Sequence, residues 1–260
     1  MLIAYILALT ATGTGAGTLP NGGRVVLELV TDRLTYHVGQ AVELRLAVTN
    51  VGATTLFGYV LLEPYFSSQL QSSVLEYCHG GVACVEFQGD IPYVEEKNIV
   101  ILPVKLESRQ VQSSSFVVAL NPKTKALVLD KAGDYELRWT TWGIHERRDL
   151  GPNVRGPGFS ASAFVRVLPV PPSEQAAYDY YVEHSLPEIA QYNEAYFRYR
   201  DEIRLAAHTM LTRFPDSIYA DAVRIGFKKL LESRVRRGRA TDEDRAALDD
   251  LRARLANGRN

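Results

Sequence analysis

Apolar and polar residues alternate along the first two thirds of this chain, and apolar residues recur every three to four positions along the last third. The clearest alternation lies in residues 34–52, LTYHVGQAVELRLAVTNVG, where Val42, Leu44, Leu46 and Val48 interleave with Glu43, Arg45, Ala47 and Thr49. Strand side chains point to opposite faces in turn, so the pattern predicts an antiparallel strand with one buried face. Gly39 and Gln40 before it, and Asn50, Val51 and Gly52 after it, supply the turns that bound it.

Further strands are expected at 25–30, 54–62, 74–78, 82–88, 98–106, 110–120, 126–129, 133–142 and 160–168, with 31–39 as a connection into the first landmark. Residues 54–62 are apolar on both faces, which suits a central strand or one covered by the helical tail. Pro92 and Pro103 restrict their segments to edges or ends, because proline cannot donate to a ladder. Many short strands joined by turns rather than helices predict an antiparallel sandwich. Tyr36-x-x-Gly39, then Val42-x-Leu44-x-Leu46-x-Val48-x-Asn50, and later Gly133-Asp134-Tyr135-x-Leu137 resemble bacterial immunoglobulin-like domains of the macroglobulin and intracellular proteinase inhibitor type. The resemblance spans 24–170 and implies an antiparallel immunoglobulin-like β-sandwich, with Tyr135 as a structural hydrogen-bonder and no inherited active site.

Consecutive prolines in 169–172, PVPP, end the last strand and mark a domain boundary. Beyond it the period becomes helical, and a C-terminal helical domain is expected over 173–260. Ser173 caps a first helix with Ala176, Ala177, Tyr180 and Tyr181 inward. Pro187 opens a second, carrying Ile189, Tyr192, Tyr196, Ile203, Leu205 and Leu211. Asp216 or Ser217 starts a third over 218–236, and Thr241 with Asp244 forms a capping-box start to the last. Phe214-Pro215-Asp216-Ser217 with Tyr219-Ala220-Asp221-Ala222 resembles the helix-turn-helix junction of tetratricopeptide repeats. That resemblance implies a peptide-binding groove, and the alternative is a helical appendage packed on the sandwich, with 54–62 as the acceptor.

Before the first strands, residues 1–17 read as a signal peptide: an apolar run, then small residues, with cleavage expected near Thr18. No Lys or Arg precedes the run, so a buried N-terminal strand is the competing reading. Gly13, Gly15 and Gly17 are read as processing-site composition rather than a phosphate loop. Export to an extracytoplasmic compartment, periplasmic or secreted, favours a disulfide between Cys78 and Cys84 in YCHGGVAC, with unpaired thiols or a metal site as alternatives.

Composition narrows function by exclusion. A formal net charge of −1 offers no bulk electrostatic reason to bind nucleic acid. No membrane insertion after signal cleavage is expected, and no cofactor or metal. No nucleophile elbow, Walker loop or zinc-protease helix occurs, and His37, His79, His145, His184 and His208 are scattered, so no catalytic residues are assigned and an enzyme is not expected. The charged loop 143–158 supplies candidate contacts in His145, Glu146, Arg147, Arg148 and Arg155. The helical tail supplies Tyr192, Tyr196 and Tyr199. The expected function is a non-enzymatic protein-binding or assembly module whose partner is another protein; the alternative is a proteinase inhibitor acting through a sandwich loop.

Overall fold

The computed structural model describes residues 10–58, 73–81, 83–87, 104–147, 156–192 and 200–257. Its strands form three sheets. The first holds β1 (Thr12–Thr18), β2 (Arg24–Thr31), β4 (Val42–Asn50) and β9 (Val111–Val118), in that order and all antiparallel. The second has the order β3 (Thr35–His37), β12 (Phe159–Leu168), β10 (Gly133–Thr141), β6 (Ser73–His79) and β7 (Ala83–Glu86), antiparallel except for the parallel pair of β3 and β12. A small third sheet joins β11 (Ile144–His145), β5 (Leu56–Gly58) and β8 (Val104–Leu106).

The alternation read from the sequence explains how the first two sheets meet. Val25, Leu27 and Leu29 of β2 and Val42, Leu44, Leu46 and Val48 of β4 face Tyr135, Leu137 and Trp139 of β10 and Val165 and Val167 of β12 in one hydrophobic core. Each fully buried aliphatic side chain contributes about 1.5–3 kcal/mol relative to exposure. Leu56 of β5 belongs to this same core, so the strand expected to receive the helices is occupied by the sheets. Residues 59–62 lie outside the described residues, as do 88–103, which include Pro92, Pro103 and most of the strand expected at 98–106. Residues 126–129 form no strand, only a bridge between Leu120 and Leu127.

Three strands differ from expectation. β3 lies within the connection 31–39, and β11 within the loop after Thr141. β1 occupies the segment read as processing composition. β3 covers β12 only at Arg166–Leu168, and β1 approaches the other half of β12 through its glycines. A Cβ on Gly13 would stand 1.6 Å from the Ser162 carbonyl oxygen, and one on Gly15 1.7 Å from that of Ser160. The period-two glycines are a strand face pressed against backbone, where no side chain fits.

Behind β12, a 3-10 turn at Pro172–Glu174 leads into α1 (Gln175–Glu183), α2 (Leu186–Ala190), α3 (Asp201–Arg213), α4 (Ala220–Arg236) and α5 (Asp242–Asn257). Ala177 and Tyr181 of α1 are buried as expected, whereas Ala176 is exposed. The helix expected to run on from Pro187 is not continuous: Arg200 is extended, with φ −134° and ψ 132°, so α3 starts afresh after it. Neither Asp216 nor Ser217 is the N-cap of α4, which begins after Tyr219. Thr241 and Asp244 do form the reciprocal box at α5: the Asp244 N–H donates to Thr241 Oγ1 at 3.1 Å, and the Thr241 N–H to Asp244 Oδ2 at 3.0 Å. The helices share a second core, to which Ala119 and Ala41 of the β body contribute. Among the described residues no helix is long and apolar enough to cross a membrane.

Candidate functional site

In the described part of the charged loop, His145 and Glu146 are turned into the body. His145 pairs with Phe57 in the third sheet and is 5% exposed. Glu146 accepts the N–H of Asn21 at 2.8 Å and that of Gly23, fastening the turn between β1 and β2. A Cβ on Gly23 would lie 2.7 Å from that carboxylate, so the glycine is what lets Glu146 reach the backbone. Arg147 is exposed. Arg148 and Arg155 lie outside the described residues, as do Tyr196 and Tyr199. Tyr192 is half-buried against the helical core. Among the described residues, the loop candidates and Tyr192 do not come together in one site.

Cys78 and Cys84 are opposed across the β6–β7 ladder and joined in a disulfide, with Cα atoms 4.0 Å apart. Gly80 and Gly81, with φ +61° and +71°, make the turn between them.

What the residues do assemble is a groove among α3, α4 and α5, a cleft of about 380 Å³. The helices follow one another antiparallel, so α3 and α5 flank α4 and run in the same direction. At one end they are tied together. The Asp244 side chain, fully buried, meets Arg234 at 2.9 Å and Arg204 at 3.4 Å, linking α5 to both α4 and α3. Burial pushes the Asp244 carboxyl up, but the Thr241 N–H and the two guanidiniums outweigh it and hold the group below the ordinary range. The groove opens beside this tie, within a turn or two along each helix. His208, Leu211 and Thr212 of α3 face Ala246, Ala247, Asp250 and Leu251 of α5 across Phe227 of α4.

No protein-family model and no curated protein matches the chain.

The groove's floor is apolar, its α5 wall carries short side chains, and its rim carries His208, Arg224, Glu243 and Asp250. The Arg224 guanidinium is engaged, donating to the Pro215 carbonyl at 2.7 Å and pairing with Asp221. Among the described residues no group of three His, Cys, Asp or Glu side chains could hold a metal ion.

The groove is held in a fixed orientation on the β body. Gln191, just past α2, accepts the N–H groups of Ala119 and Leu120 at 2.9 and 2.8 Å. The Tyr219 hydroxyl donates to the Val38 carbonyl at 2.8 Å, and the Gln40 amide to that of Ile218 at 3.0 Å. Tyr178 lies over Gly39, where a Cβ would stand 2.7 Å from its ring, and Tyr181 stacks on Tyr219 with centroids 5.2 Å apart. Sequence reasoning saw the crowd of tyrosines but not their acceptor. Gly39 and Gln40 carried the signal, as a turn whose residues also had a long-range task.

Proposed function

We propose that this protein is a non-enzymatic, extracytoplasmic protein-binding module, an immunoglobulin-like β-sandwich carrying a tetratricopeptide-like helical tail that presents a groove to a partner protein. The carrying observation is the groove itself: an apolar floor with a polar rim, built from three helices and fixed to a rigid β body. The sandwich reading is supported by two sheets over one core, by β3 lying parallel beside the last strand, and by the Tyr135 hydroxyl bonded back to Asp130. The helical reading is supported by the antiparallel succession of α3, α4 and α5 around the Pro215 turn. The Cys78–Cys84 bridge favours an oxidising compartment. The inhibitor alternative draws no support from the described part of its loop, because an inhibitory loop must protrude and His145 and Glu146 are bound inward.

The test is affinity capture from the source cell's envelope fraction with the intact chain and with Ala247→Trp, which fills the groove from a half-buried position. A discrete protein retained by the first and lost by the second is expected. Identical capture by both overturns the groove reading.

A further inference from the structure

We propose that the Cys78–Cys84 bridge is a thiol-exchange site, opened in the folded protein by a dithiol that attacks Cys84 from beyond the edge of the sheet. The direction follows from the ladder. A thiolate attacks a disulfide along the axis of the bond it breaks and passes through a mixed disulfide. Here that axis runs across the strands, from Cys78 on β6 to its Cα partner Cys84 on β7, and β7 is the outermost strand of its sheet among the described residues. Approach to Cys84 comes from off the edge, and Cys84 is exposed. Cys78 is buried, and approach to its sulfur has to cross β10 over Glu136, its Cα partner there.

The fold can also lose this bridge without coming apart. The two cysteines are 6 positions apart, and a loop that short removes little conformational entropy from the unfolded chain. Gly80 and Gly81, both at positive φ, already set the turn. β7 gives the core little, since Cys84 and Val85 are exposed and Glu86 is half-buried. Just past the strand the chain is anchored again: Phe87 is buried, its N–H donates to the Leu75 carbonyl at 2.7 Å, and the Asn121 side-chain amide donates to the Glu86 carbonyl at 2.8 Å. Opening the bridge therefore frees Ala83 to Val85 about a hinge at Glu86 and uncovers the edge of β6. In the exchange, one thiolate of the dithiol bonds to Cys84 Sγ as the Cys78–Cys84 bond breaks, and Cys78 leaves with the electron pair and takes a proton. The second thiolate then displaces Cys84, which is protonated in turn. The dithiol is oxidised by two electrons to a disulfide, and the protein is left with two thiols.

The test exposes the intact chain, without denaturant, to dithiothreitol and, in parallel, to a small Cys-x-x-Cys oxidoreductase whose second active-site cysteine is replaced by serine, so that the mixed disulfide accumulates. Free thiols are alkylated and located by peptide mass spectrometry, and amide exchange is followed in the bridged and reduced forms. Opening is expected on the order of tenfold or more faster than global unfolding under the same conditions. The mixed disulfide is expected on Cys84, and amide protection is expected to fall at Ala83 to Val85 while β10 and β12 keep theirs. Opening no faster than unfolding, or a mixed disulfide formed on Cys78 or not at all, overturns the proposal. A reduced protein in which Ala83 to Val85 keep their protection overturns the release of β7.

Discussion

Three buried tyrosines show how a single hydroxyl changes sign with its surroundings. The Tyr135 O–H donates to Asp130 at 2.9 Å and accepts the Lys131 N–H at 3.2 Å. Tyr36 repeats the arrangement with Asp32 and Arg33 at 2.7 and 3.2 Å, so the chain's entries to β3 and to β10 are pinned the same way. Tyr181 is as deeply buried, yet its hydroxyl has no hydrogen-bond partner among the described residues. Tyr135→Phe is expected to lower unfolding free energy by about 1–2 kcal/mol, whereas Tyr181→Phe is expected to leave it unchanged or raise it, since a buried unpaired hydroxyl costs about 1–3 kcal/mol. Denaturant melts of the two variants decide this, and equal losses would count against it. Burial, then the bond to Asp130, pushes the Tyr135 hydroxyl up from 10.0 to about 12. A raised value in the folded state means that its contribution is intact below pH 10 and is lost as pH climbs through about 12. The stability gap between wild type and Tyr135→Phe should therefore narrow over that window.

Among the elements, β1 and α5 each turn on a few identifiable residues. β1 is held by its ladder to β2 and by the fit of its glycines on β12, so Gly15→Val is expected to displace it and cost about 1–3 kcal/mol, read by loss of amide protection in β1 and β2. Ala11 is also built in: its N–H donates to Thr31 Oγ1 at 3.2 Å, and its carbonyl accepts the Thr31 N–H at 2.9 Å. Processing near Thr18 would remove this strand, so N-terminal sequencing of the mature form is expected to find Ala11 retained. α5 hangs on Asp244, which combines a helix cap with a buried double ion pair. Asp244→Ala is expected to cost about 3–5 kcal/mol because two largely buried guanidiniums lose their partner. Its carboxyl is lowered below 3.8, so this contribution is present above that pH and disappears only as pH falls through the lower, folded-state value.

For the whole molecule, the question is whether two cores behave as one. The helical core includes Ala119 and packs on Ala41, and side-chain bonds from Gln191, Tyr219 and Gln40 cross between the parts. A single thermal transition is expected. Gln191→Ala strips two backbone N–H groups of their acceptor, and Gly39→Ala forces a side chain onto φ +81° against Tyr178. Either should split the transition in two, with cleavage appearing at 169–173 under limited proteolysis. One unsplit transition in both variants would show that the junction contributes little.

The alternation of Val42 to Val48 and of Tyr135 to Trp139, the break at 169–172, the disulfide and the Thr241–Asp244 box were all legible in sequence because each is a local pattern with a local physical cause. The contacts that decide how distant segments meet were not. Gly13 and Gly15 read as composition until the backbone of β12 was seen against them, and Glu146 read as a surface contact until it was found holding the Gly23 turn. The groove lies where Asp244 ties α5 to α3 and α4 while the short side chains of Ala246 and Ala247, within a turn of it, leave a cleft beside the tie. Periodicity reports which face of an element is apolar. Which neighbour that face meets, and where two helices fail to close on each other, is decided only when residues far apart in the chain compete for the same space.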